Sequence, residues 1–134
     1  MLGNSRVAMI IGGALALSAC GITGPAHHQP PTPMVGAVVT MDMDSFNPPI
    51  VRIRSGQIVQ WRNTSLIGHT VTADPRRAAN PANVQLPPGA PAFHSGGIAA
   101  GQIWSYRFFR PGTYRYVCLP HERQGMRGTV IVDS

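Results

Sequence analysis

From Val35 onward, apolar and polar residues alternate with a period of two in short runs, the pattern of strands with one buried face. Val35–Met41 is the first run. Val51 and Ile53 share a face within Ile50–Arg54, and Val59 and Trp61 share one within Gln57–Trp61, with Ser55-Gly56 as the turn between them. His69–Thr72 starts a short strand. Trp104, Tyr106 and Phe108 line one side of Ile103–Phe109, and Arg110-Pro111-Gly112 supplies the residues a tight bend needs. In Thr113–Cys118 the alternation puts Tyr114, Tyr116 and Cys118 on one face and Arg115 and Val117 on the other. Val130 and Val132 face together in Gly128–Val132. Seven or so short strands separated by turns predict an all-β chain, a Greek-key β-sandwich.

Three stretches break the rhythm. Residues 1–19 carry Arg6 and then the apolar run Val7 to Leu17, too short to span a bilayer and read here as a signal peptide. Leu17-Ser18-Ala19-Cys20 resembles the lipobox of bacterial lipoproteins, which implies cleavage before Cys20 and acylation of its sulfur. An ordinary secretory signal is the alternative, and either one exports the domain. Residues 20–34 are then a lipidated Cys20 and a Pro-rich tether, reaching at most ~45 Å at the extended-chain limit. His27-His28 in that tether is read as incidental. Residues 35–134 form the folded domain, placed in the periplasm or outside the cytoplasm and anchored to the membrane. Within it, the segment 74–91 holds five prolines and little periodicity. Asp74-Pro75 suits the start of a short helix there. So long a loop is functional or a tolerated surface insertion.

Composition narrows the partners. The chain is 43% hydrophobic and rich in Gly and Pro, as suits many turns. Its cations are all arginine, and with 5 acids the formal net charge is +6, favouring acidic partners or anionic membranes. No aromatic–basic interleaving or nucleic-acid motif is present, so no nucleic-acid role is expected. If Cys20 is acylated, Cys118 is the only free thiol and no internal disulfide forms.

The chemistry concentrates in Tyr114-Arg-Tyr-Val-Cys118-Leu-Pro-His121-Glu-Arg-Gln-Gly-Met126. A thiol, an imidazole and a thioether sit on a loop that Pro120 and Gly125 bend and two strands tie down. A second imidazole would complete two His, one Cys and a weak axial Met, the ligand set of a blue-copper electron-transfer site, and His69 is the best candidate. Zinc is disfavoured because it takes four strong donors and a thioether is a poor one. Protein side chains fill the coordination, leaving no open position for a substrate, so the chain is read as a carrier and not an enzyme.

These residues carry a family resemblance. Phe46 to Asn63 looks like the early hairpin of the cupredoxins of the plastocyanin, pseudoazurin and amicyanin group. Asn63 to His69 followed by Thr-Val, Phe93-His-Ser-Gly, Pro111 to Cys118 and Cys-x2-His-x4-Met are similar to further parts of that family. The resemblance covers about residues 35–134 and implies an eight-stranded sandwich with one copper ion held by His69, Cys118, His121 and Met126. Asn63 and the Thr70 N–H are expected to bond around these ligands, the latter to the Cys118 sulfur. His121 is expected to offer the electron's exit. The 74–91 insertion departs from the family, and His94 stands where relatives often carry an acid, so no acidic docking patch is carried over. The expected function is single-electron transfer between redox protein partners by a monomer. Copper storage or delivery, and a metal-free exported binding module, are the alternatives.

Overall fold

The computed structural model describes residues 34–134; the readings of residues 1–33, including Cys20, lie outside them. Nine strands form in chain order: β1 Val35–Met41, β2 Phe46–Asn47, β3 Ile50–Arg54, β4 Ile58–Asn63, β5 Thr72–Ala73, β6 Phe93–His94, β7 Ile103–Arg107, β8 Gly112–Val117 and β9 Arg127–Asp133. They make two sheets, a four-stranded one in the order β2-β1-β4-β7 and a five-stranded one in the order β3-β9-β8-β5-β6. The β-sandwich expected from the alternation is therefore the fold.

The pairing corrects one local expectation. Ile50–Arg54 and Ile58–Asn63 are not a hairpin. β3 runs parallel to β9, while β4 runs parallel to β1 and antiparallel to β7. Ser55 and Gly56 carry the chain from one sheet to the other, Gly56 at φ +85 where a side chain would be strained. Two strands sharing a short turn looked like neighbours because periodicity reports which face is buried, and both faces here look into the same core.

Between the sheets lies an aromatic core. Trp61 and Tyr116 are fully buried, and the indole N–H donates to the Tyr116 hydroxyl over 3.0 Å. Phe46 and Phe108 pack around them at ring separations of 4.8 Å to Tyr116 and 6.3 Å to Trp61. Trp104 and Tyr106 are half-buried on β7 and pack against Phe93 with tilted rings. Tyr114 anchors the turn before β8 through its hydroxyl, which donates to the Arg110 carbonyl over 2.8 Å.

The 74–91 segment is built differently from the expectation at Asp74-Pro75. No helix starts there. Asp74 closes a turn instead, its carbonyl accepting from the Arg77 and Ala78 amides and its carboxylate from the Arg76 amide and guanidinium. The helical turn comes later, a single 3-10 turn at Pro81–Asn83 capped by the Asn80 side chain. Prolines spaced this closely remove the amides a longer helix would need. The segment then returns to the sheet, where Gln85 and Arg115 exchange both backbone hydrogen bonds. Val117, expected on the polar side of β8, is fully buried, and the Pro81–Asn83 turn lies against that strand.

Candidate metal centre

One end of the sandwich gathers the sulfur and nitrogen donors. Cys118 follows the last residue of β8 and is fully buried. Leu119–Gln124 forms two short 3-10 turns broken at His121, whose backbone sits at φ −118, ψ 15. Gly125, at φ +90, reverses the chain. Met126 then closes the loop: the Cys118 amide donates to the Met126 carbonyl over 3.1 Å, and the Met126 amide to the His121 carbonyl over 3.2 Å. A loop stitched to itself in this way holds its side chains at fixed offsets.

His69 reaches the same place from the other side. It lies between β4 and β5, paired with Ile98 through both backbone hydrogen bonds, and is 1% exposed. Its Nδ1 is 3.6 Å from the Cys118 sulfur, and the His121 Nδ1 is 3.4 Å from it. The three donor atoms lie within 4.8 Å of one another. Nitrogen and sulfur bound to one ion at about 2.0–2.1 and 2.3 Å stand roughly 3.4–3.7 Å apart at angles near 105–115°. The two sulfur–nitrogen separations therefore fit donors sharing a metal. Met126 is fully buried and belongs to the core cluster with Cys118.

The hydrogen bonds settle which nitrogen of His69 is free. The Asn63 side-chain amide donates to the Ile67 and Ile98 carbonyls over 2.7 and 3.0 Å, which fixes its oxygen as the atom facing Ser65. Ser65 Oγ has only acceptors within reach for its proton, the Asn63 Oδ1 at 2.8 Å and the Ile67 carbonyl at 3.1 Å. It must accept from the His69 Nε2, 2.8 Å away. Nε2 carries the proton, and Nδ1 turns a bare lone pair toward Cys118.

Asn63 thus acts through Ser65, a residue no sequence signal marked. The Thr70 amide donates to the Cys118 sulfur over 3.4 Å, and the Thr70 hydroxyl accepts from the Leu119 amide over 2.9 Å. Thr72 links that hydroxyl to His94, whose Nδ1 lies 2.8 Å from the Thr72 oxygen and outside the donor cluster. Glu122, beside His121, is buried with its carboxylate bonded into the 74–91 segment, and spacing alone could not foresee that contact.

Electrostatics follow burial. Burial pushes the Cys118 thiol up, against the pull of the Thr70 and His121 amides. It also lowers the pKa of His69, with the neighbouring His121 adding to the effect. Glu122 is pushed up by burial, but bonds from Asn83 and the Ala79 and Asn80 amides outweigh that and hold it below the usual carboxylate range. Without metal the pocket therefore favours a neutral thiol and a neutral His69.

The family model for copper binding proteins of the plastocyanin/azurin family matches residues 34–133. The chain belongs to that family. Over 89 residues this cupredoxin is 33% identical to a plastocyanin of Scenedesmus fuscus, the match covering 66% of the chain and 86% of the relative. It is 34% identical over 89 residues to amicyanin-alpha of Methylorubrum extorquens, spanning 64% of that protein's length. The crystal structure of amicyanin from Paracoccus versutus superimposes with a TM-score of 0.58 at 28% identity, covering 77% of this cupredoxin and 86% of that chain.

Proposed function

We propose that this chain is a type 1 copper protein that carries single electrons between redox proteins, its copper held by His69, Cys118, His121 and, as a weak axial donor, Met126. The observation that carries the reading is the convergence of two imidazole Nδ1 atoms, at 3.6 and 3.4 Å, on one buried thiol, from segments far apart in a chain of this family. Copper supplies a one-electron couple, and thiolate, imidazole and thioether suit both of its oxidation states. The protein's part is to keep those donors still. Asn63 and Ser65 hold His69 in one tautomer, Thr70 binds the sulfur and the next amide, and the closed 118–126 loop fixes His121 and Met126. Donors that need not move between the two states make each electron transfer cheap in reorganisation.

Burial of His69, Cys118 and Met126 excludes water from that side. His121 is half-buried, so its ring edge is the exit for the electron. Leu66, 92% exposed on the loop leading to His69, puts an apolar side chain on the surface nearby in sequence. Family members are electron carriers, and this chain is one rather than an enzyme.

The test is a visible spectrum and voltammogram of the copper-loaded protein. Strong thiolate-to-copper absorption, reversible one-electron cycling and slow loss to a chelator are expected. Ready chelator exchange without cycling would replace the carrier by a storage or delivery protein. A colourless domain indifferent to copper would leave only a binding module.

We further propose that the domain 35–134 is exported and tethered by residues 20–34, with Cys20 acylated after removal of residues 1–19. Arg6, the apolar run and Leu17-Ser18-Ala19-Cys20 support this reading. Fatty-acid labelling that survives Cys20→Ser would refute it. The carrier is expected to work as a monomer, which its sedimentation will show.

A further inference from the structure

The electron-carrier reading uses none of the 74–91 segment, yet that segment is bonded to the residue beside a ligand. Glu122 is 2% exposed. Its Oε2 accepts from the Ala79 amide over 2.7 Å, and its Oε1 accepts from the Asn80 amide over 3.0 Å and the Asn83 side-chain amide over 2.7 Å. Most bonds of the 118–126 loop run within the loop itself. Two contacts fasten it to its surroundings on either side of His121. Before it, Leu119 N and the Cys118 sulfur meet Thr70. After it, the Glu122 carboxylate meets residues 79–83.

We propose that Glu122 is a positioning residue for the metal centre, its carboxylate locking residues 79–83 against the ligand loop and so fixing the peptide that carries His121. The proposal rests on the copper assignment above. Backbone geometry leaves room for such a tie: the helical turns break at His121, so the loop's own bonds on its two sides are not one continuous ladder. The bonding makes it effective, since hydrogen bonds to an ionised carboxylate are short and roughly twice as strong as neutral ones. Energetics also argue for a specific purpose. Burying a carboxylate is costly unless its oxygens are satisfied, and this one finds its donors only in the 74–91 segment. The insertion thereby becomes a brace for the ligand loop.

Two variants separate bracing from charge. Glu122→Gln removes the negative charge and faces an amide N–H with its own NH2 group, whereas Asn83→Ala keeps the charge and removes one donor from outside the ligand loop. A fixed negative charge near the metal favours Cu(II). Glu122→Gln should therefore raise the potential, and Asn83→Ala should move it less. Both should speed copper loss to a chelator by about tenfold or more, the usual cost of an outer bond to a metal site. In the copper-free protein both should quicken amide exchange at Ala79 and Asn80 and lower the order of the His121 ring in NMR relaxation.

If those amides exchange faster while ring order and copper retention match the wild type, Glu122 anchors only the insertion and the proposal is overturned. Should Glu122→Gln fail to fold, Asn83→Ala decides by the same criteria. A wild-type protein that stays colourless with copper would strike the metal assignment instead, and the ring order of the copper-free variants would still decide the brace.

Discussion

The two imidazoles of the site are held in opposite ways. His69 is fully enclosed, paired with Ile98 and locked through Ser65 to Asn63 at the end of β4. His121 is half-buried on a loop of broken 3-10 turns, supported by backbone bonds of that loop and by Glu122. One ligand belongs to the scaffold and the other to a surface. An electron carrier needs both kinds, because the scaffold side keeps the geometry constant while the surface side brings the metal within reach of a partner. The contrast also predicts where the site is fragile.

Cys118 serves both sides, and its loss should be the most severe. Cys118→Ser is expected to abolish the visible absorption of the copper-loaded protein, since no other thiol lies among the described residues. Retained colour would mean that the scaffold and surface halves do not meet at this sulfur.

On the scaffold side, Ser65→Ala leaves the His69 Nε2–H without its acceptor. Copper affinity should fall about 10–100-fold, and the copper-free protein should lose about 1–3 kcal/mol of stability. Competition with a chelator and denaturant unfolding measure the two. Affinity unchanged within a factor of two would show that His69 needs no lock.

A pH titration tests both halves together. Burial raises the Cys118 thiol, so it is protonated at neutral pH in the copper-free protein and releases that proton when metal binds. His69, with its pKa lowered by burial, is already neutral there and releases none. Below the thiol's raised pKa, affinity should therefore drop by about tenfold for each unit of falling pH, one proton's worth. It should steepen further once the pH passes below the lowered pKa of His69. A flat profile would mean the sulfur is not a ligand.

The smallest effect is expected on the surface side. Arg123 and Arg127 follow His121 and have no acidic ion-pair partner among the described residues. Their charges should favour Cu(I) and raise the potential, weakly because solvent screens them. Replacing both with Gln should lower the potential modestly, more so at low salt, and voltammetry across ionic strengths will show it. An unchanged potential would mean that solvent cancels their charge at the metal.

The same division explains what could be read from the chain alone. Val51, Ile53, Val59, Trp61, Tyr114 and Tyr116 are buried where the period-two pattern puts them, because core burial leaves a local signature. Pairing leaves none, so the sequence of β3 and β4 reads as a hairpin although they lie in different sheets. Cys118, His121 and Met126 share nine residues, and that spacing pointed to a metal loop. Ser65 and Glu122 stayed hidden for a common reason. Each acts through partners chosen by the fold, and a serine before Leu-Ile or a glutamate among arginines looks like ordinary surface. Val117 was misplaced likewise, since only the path of the 74–91 segment decides that the outer side of β8 is covered.

The central claim is that donors from the scaffold and from the surface loop bind one copper ion. X-ray absorption at the copper edge of the loaded, full-length protein tests it most directly. The account predicts a first shell of one short sulfur, at about 2.3 Å or less, and two imidazole nitrogens at about 2.0–2.1 Å. A first shell of nitrogen and oxygen without sulfur would contradict it.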